Sequence, residues 1–149
     1  LQQVADGFRQ EFKDYDNDQR PFLLGHETYR YTQVPARDAT TTGNIQRSNR
    51  YPNCSFFTNW TSTDEQLVWD LEVAASGTYQ VDLQYTCPED DVGSTVELAV
   101  GASRLRAKIL TLHDPPLRGQ EHDRTPRQES YVKDFATMSL GTIELQKGS

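Results

Sequence analysis

A chain of 149 residues with 35% hydrophobic, 10% aromatic and 25% charged side chains is the size of one domain. Its formal net charge of -7 argues against nucleic acid or an anionic membrane as the general partner. No apolar run nears the roughly 20 residues of a membrane-spanning helix, so a soluble domain is expected, and 9 glycines with 7 prolines are too few for low-complexity sequence.

From the N-terminus, Val4, Phe8 and Phe12 recur every four residues and predict a short amphipathic helix over 2–13, a possible remnant of a preceding domain. With no signal peptide and a first residue of Leu1, the chain reads as a mature form or an excised piece. Residues 14–26 read as an acidic connector, so the division is 1–26 (helix and connector) and 27–149 (β domain). Tyr29, Tyr31 and Gln33 alternate with Arg30 and Thr32, and 38–47 is threonine-rich and β-prone. Alternation is cleanest in 66–73 and 78–86, separated by Ser76-Gly77, which predicts a β-hairpin with Trp69 in the core. A second pair, Val96–Val100 and Leu105–Ile109, flanks Gly101-Ala102, and a last strand covers Leu140–Leu145; the turn signal after it leaves open a further strand, either missing or supplied by residues outside this sequence. Many short strands with regular turns predict an all-β fold, an antiparallel β-sandwich or jelly roll, with the short N-terminal helix. The proline-bearing stretch 110–130 lacks a period and is expected to be an ordered loop.

Enzyme signatures are missing: there is no Gly-rich phosphate loop, GxSxG or HExxH. Asp14-x-Asp16-x-Asp18 imitates a calcium loop, but Gln19 and Gly25 stand where glycine and glutamate are needed. No cofactor is therefore expected, a structural calcium being the one alternative. The pairs His113-Asp114 and His122-Asp123 offer metal donors at no known ligand spacing. Cys54 and Cys87 fit a single disulfide if the protein is exported, and two buried free thiols almost as well. The sequons Asn53-Cys54-Ser55 and Asn59-Trp60-Thr61 matter only where asparagine is glycosylated.

The charge is unevenly distributed. Residues 1–100 hold 7 basic and 16 acidic side chains (-9), and 101–149 hold 8 and 6 (+2). Arg118, Arg124, Arg127 and Lys133 cluster beside His122 and Tyr131. Guanidinium forks match the oxygens of sulfate or carboxylate, and an aromatic ring stacks on a sugar face. Arg50 and Trp60 form a second polar and aromatic group, with Trp60 either a platform or a core residue. The competing reading of the late cluster is an internal ion-pair lattice with Glu121, Asp123, Glu129 and Asp134. A ligand role requires these cations to be unpaired and outward-facing.

The strings Pro35-Ala36-Arg37-Asp38-Ala39, Arg47-Ser48-Asn49-Arg50-Tyr51-Pro52-Asn53-Cys54, Asn59-Trp60, Trp69-Asp70, Gly77-Thr78-Tyr79, Tyr85-Thr86-Cys87-Pro88 and Val92-Gly93-Ser94 resemble a domain that follows the catalytic region of some bacterial sulfatases. The run from His113-Asp114-Pro115-Pro116 to Tyr131-Val132-Lys133-Asp134-Phe135 is its most specific part, and the likeness spans the chain from about residue 20. These sulfatases are typical of bacteria that degrade marine polysaccharides. The layout is also similar to galactose-binding-like β-sandwich carbohydrate-binding modules, although no late tryptophan is present. The sulfatase nucleophile signature Cys/Ser-x-Pro/Ala-x-Arg fits neither cysteine. The resemblance implies a non-catalytic module, secreted, periplasmic or on the cell surface as part of a larger enzyme. Its expected partners are a sulfated or uronic-acid-containing polysaccharide and the parent's catalytic domain. The alternative is a structural domain packed on that catalytic domain without glycan binding of its own.

Overall fold

The computed structural model describes residues 2–13, 19–51 and 55–148. Helix α1 (Gln2–Phe12) forms where the four-residue apolar spacing places it. Its Val4, Phe8 and Phe12 stripe stays exposed, with the two phenylalanine rings stacked at 6.2 Å.

All remaining regular elements are strands or single helical turns. The strands are β1 (Phe22–Leu24), β2 (Thr40–Thr41), β3 (Gln46–Arg47), β4 (Phe57–Thr58), β5 (Leu67–Val68), β6 (Leu71–Val73), β7 (Gly77–Tyr85), β8 (Thr95–Val100), β9 (Ser103–Lys108) and β10 (Ala136–Leu145). The fold is all-β with one short helix. Its strands hydrogen-bond two by two, as β1-β6, β2-β5, β3-β4, β7-β10 and β8-β9.

Three expectations need correction. The hairpin of 66–73 with 78–86 does not form: β7 pairs antiparallel with β10, and β6 pairs parallel with β1, inside the stretch read as connector. Period two shows which face of a strand is buried, not which strand lies beside it. The alternation at 29–33 yields no strand; Tyr29 is 69% and Tyr31 96% exposed, so neither face of that stretch meets a core. Trp69 is half-buried rather than interior, its indole Nε1 donating to the Pro35 carbonyl at 2.9 Å. The β8-β9 hairpin forms as expected, in register from Thr95 opposite Lys108 to Val100 opposite Ser103. The last strand starts earlier than expected, at Ala136.

Two apolar clusters hold the ribbons β7-β10 and β8-β9 together. Val73, Val100, Ile143 and Leu145 are buried, with Leu24, Leu71, Tyr79, Val81, Leu98 and Leu105 packed around them. Further along the same ribbons Tyr85, Cys87 and Ile109 are buried against Leu83, Val96, Ala136 and Met138. Each such aliphatic side chain contributes about 1.5–3 kcal/mol when fully buried. The β7-β10 register slips between Ser139 and Gly141, so buried Leu140 is a bulge residue. Gly141 has φ +117°, and a Cβ there would lie 3.3 Å from Leu105 Cδ1, so both backbone angle and space call for glycine.

Candidate functional site

The long segment between β9 and β10 is fastened to the core at one end and folded on itself at the other. Residues Cys87 and His113 exchange backbone hydrogen bonds of 2.7 and 3.0 Å, after which Pro115 and Pro116, lacking N–H groups, cannot extend the ladder. The segment turns back so that Arg118 and Val132 make a second such bridge, 2.7 and 3.3 Å. His113 Nε2 meets the Asp134 carbonyl at 2.7 Å. At the turn Gly119 has φ +107° and packs against Arg127, whose Nη2 lies 3.1 Å from where a Cβ would stand.

Three of the four late cations already have anionic partners, contrary to the expectation that all are unpaired. Arg118 binds Asp134 at 2.5 Å, Lys133 binds Asp114 at 2.6 Å, and Arg127 grips Asp123 through Nε at 2.7 Å and Nη2 at 3.2 Å. The Arg118–Asp134 pair lies at the surface, its side chains 61% and 56% exposed, whereas Arg127 (31%), Asp123 (24%) and Lys133 (22%) are partly buried. Arg127 also stacks over the Tyr131 ring, 4.6 Å from its centroid. Its hydrogen bond, opposed by partial desolvation, holds the Asp123 carboxyl below the usual aspartate range. The neighbouring Tyr131 hydroxyl lowers that carboxyl further, yet it is buried and completes no hydrogen bond of normal geometry. Arg124 is exposed and carries no ion pair among the described residues. His122 is also exposed, 3.6 Å from Glu121.

The second polar group comes to the same place from far away in sequence. Ser48 Oγ meets Ser130 Oγ at 2.8 Å, Asn49 Nδ2 donates to the Gln128 carbonyl at 2.6 Å, and the Tyr51 hydroxyl donates to Gln128 Oε1 at 2.9 Å. Arg50 donates to Tyr51 Oη at 2.6 Å and lies over the Tyr51 ring, 4.7 Å from its centroid. Arg50 has no ion pair among the described residues. Two guanidinium–tyrosine stacks therefore stand on adjoining segments, with Arg124 on the same turn.

Trp60 is not part of this group. Strand β3 pairs with β4, placing Arg50 beyond one end of that hairpin and Trp60 beyond the other, where Asn59 Nδ2 donates to the Asn44 carbonyl at 2.8 Å. The indole is 50% exposed and donates to the Glu65 carbonyl at 3.2 Å.

Sequence reasoning missed Glu65, which is 6% exposed. Its carboxylate accepts from the backbone N–H groups of Asn44 (2.5 Å), Thr61 (3.0 Å) and Ser62 (3.1 Å), and these bonds, Asn44 first, hold its pKa below the ordinary glutamate value. A Cβ on Gly43 would strike this side chain, so glycine and glutamate form one unit. Nothing in the string Thr-Asp-Glu-Gln distinguishes this glutamate from the exposed Asp64 before it.

Among the described residues no three His, Cys, Asp or Glu side chains are grouped to hold a metal, and the two His-Asp pairs are engaged separately. Asp14, Asp16 and Asp18, and Cys54 with its sequon, lie outside the described residues. Cys87 is buried, with its thiol pKa raised by desolvation and then by Asp91 and Asp114. Among the described residues no helix is long and apolar enough to cross a membrane. No family model, curated protein or solved structure matches the chain.

Proposed function

We propose that this chain is a non-catalytic accessory module that binds an anionic, sulfated or uronate-bearing polysaccharide and holds a linked enzyme, such as a sulfatase, against it. The ribbons β7-β10 and β8-β9 are read as the facing halves of an antiparallel sandwich of galactose-binding-like type, and a secreted or cell-surface setting suits such a substrate. The observation that carries the reading is the convergence of 48–51 on 128–130, which brings the Arg50–Tyr51 stack to the segment that carries exposed Arg124 and the half-buried Arg127–Tyr131 stack. Here the division of labour differs from four equal grips. The Arg118, Arg127 and Lys133 pairs brace the segment, and the unpaired Arg124 and Arg50 meet sulfate or carboxylate oxygens, with His122 beside them. A tether of this sort raises the enzyme's effective concentration at modest affinity, micromolar to millimolar or roughly 4–8 kcal/mol.

Affinity electrophoresis through sulfated, uronate-bearing and neutral polysaccharides tests this. The expected result is retardation by the anionic polymers, weakening as salt rises; migration unaffected by any of them contradicts it. A second reading, a domain packed on a catalytic partner, is favoured by Leu110 (72%), Leu112 (52%), Leu117 (51%), Val132 (40%) and Phe135 (40%), exposed along the same segment and its flanks. In that case polar substitution of Leu110 and Leu117 lowers the melting temperature of the full-length enzyme and leaves polysaccharide retardation unchanged.

A further inference from the structure

Strand β9 carries three of the eight basic residues of the last third, Arg104, Arg106 and Lys108, at every second position. We propose that this row is a separate, linear contact for a polysaccharide that bears sulfate or carboxylate groups on successive units. The ligand class rests on the anionic-polysaccharide reading, whereas none of the residues is shared with it.

Period two puts the three cations on one face. Leu98 and Leu105 pack into one apolar cluster and Val96 into the other, so the alternate residues of the β8-β9 hairpin face outward. These are Arg104, Arg106 and Lys108, with Ala99, Glu97 and Thr95 directly opposite them, and all six are exposed. The Cα atoms of successive cations stand roughly 6.6–6.8 Å apart, and a strand in register holds such a spacing more firmly than a loop does. A single carboxylate serves the whole face. Glu97 accepts from Arg106 Nε and lies 4.0 Å from Arg104 Nε. Arg104 Nη1 donates to the Gly101 and Ser103 carbonyls at 2.6 and 2.9 Å, which pins its guanidinium to the turn. Arg104 Nη2, both Nη groups of Arg106 and the Lys108 ammonium have no partner among the described residues. Guanidinium N–H groups left open in this way accept the paired oxygens of a sulfate or carboxylate. Past Lys108 the acidic turn Glu89–Asp91, near which Gly93 N donates to the Ile109 carbonyl at 2.7 Å, limits the row to three. The face carries no aromatic ring, which disfavours single-stranded nucleic acid, whose bases need stacking partners.

The test is affinity electrophoresis of the whole chain through a sulfated polysaccharide, a uronate-bearing one and poly(dT), at several salt concentrations. In whichever polysaccharide retards the unaltered chain, the double variant Arg106→Gln, Lys108→Gln should weaken retention about tenfold. The slope of log affinity against log salt should flatten by about 1.4, roughly 0.7 for each cation removed. Glu97→Gln uncovers both guanidinium groups and should strengthen retention about threefold. Asp82→Asn makes the same charge change at an exposed position of β7 and should leave retention unaltered. Melting temperatures should stay the same throughout. Retention by neither polysaccharide overturns this proposal together with the reading it rests on. Retention that responds to Arg50→Gln and Arg124→Gln but not to the β9 and Glu97 variants overturns the row alone; the opposite pattern upholds the row and removes the other face. Equal gains from Glu97→Gln and Asp82→Asn would show a general effect of charge and overturn the row, as would tighter retention by poly(dT) than by either polysaccharide.

Discussion

The ribbon core and the long segment between β9 and β10 are built from opposite materials. In the core, alternating apolar side chains face inward, and Val73, Ile143 and Leu145 lie at 5% exposure or less. In the segment, leucines face outward while ion pairs and hydrogen bonds set its shape. Hydrophobic burial has no charge for salt to screen or pH to titrate, and a methylene removed from it is strongly felt. Ion pairs of this kind each contribute little stability, so the segment's conformation rests on many small terms, and of its four late cations Arg124 is left without an ion pair among the described residues.

The largest expected effect belongs to the core. Leu145→Ala should destabilise the fold by about 2–5 kcal/mol, measured by urea denaturation, because a cavity opens between the ribbons. A loss below about 1 kcal/mol would show that the clusters do not carry the fold. Next comes acid. Glu65, Glu121 and Asp123 are all shifted below their ordinary values of 4.5, 4.5 and 3.8. The folded chain therefore binds fewer protons than the unfolded chain near those values, and stability rises with pH there. It should be at its plateau above about pH 5.5 and fall as the pH drops through 4.5 and below. Thermal melts should show this, and Glu65→Gln should flatten the slope; an identical slope in that variant would remove Glu65 as a contributor. The smallest effect is expected in the brace: Lys133→Ala should cost at most about 1 kcal/mol, less in high salt. A larger, salt-independent loss would place this pair with the core instead.

Strand positions were legible in the sequence because one face of each long strand is buried, as the β8-β9 hairpin and the alternating burial of β7 show. The partner of β7 was not, since it could meet β6 or β10 with the same face inward, whereas the short turn at Gly101-Ala102 made the β8-β9 pairing readable. Of the segment's ion pairs, only Asp123 with Arg127 sits at a spacing that sequence reading can pick out. Arg118 with Asp134 and Lys133 with Asp114 follow from the chain reversal at Gly119, and the Gln128 contacts of Asn49 and Tyr51 span more than 75 positions. The approach of the Arg50 segment to residues 128–130, and the separation of Trp60 from Arg50, came only from the fold.

The central claim is that the unpaired guanidinium groups hold an anionic polysaccharide and the paired ones brace the segment. Affinity electrophoresis in a sulfated polysaccharide that retards the unaltered chain, run on Arg50→Gln, Arg124→Gln and Arg118→Gln, separates the two roles. Arg50→Gln and Arg124→Gln should each weaken retention about fivefold to tenfold at unchanged melting temperature, and Arg118→Gln should leave it within about twofold. Retention lost equally in all three, or untouched in the first two, would contradict the account.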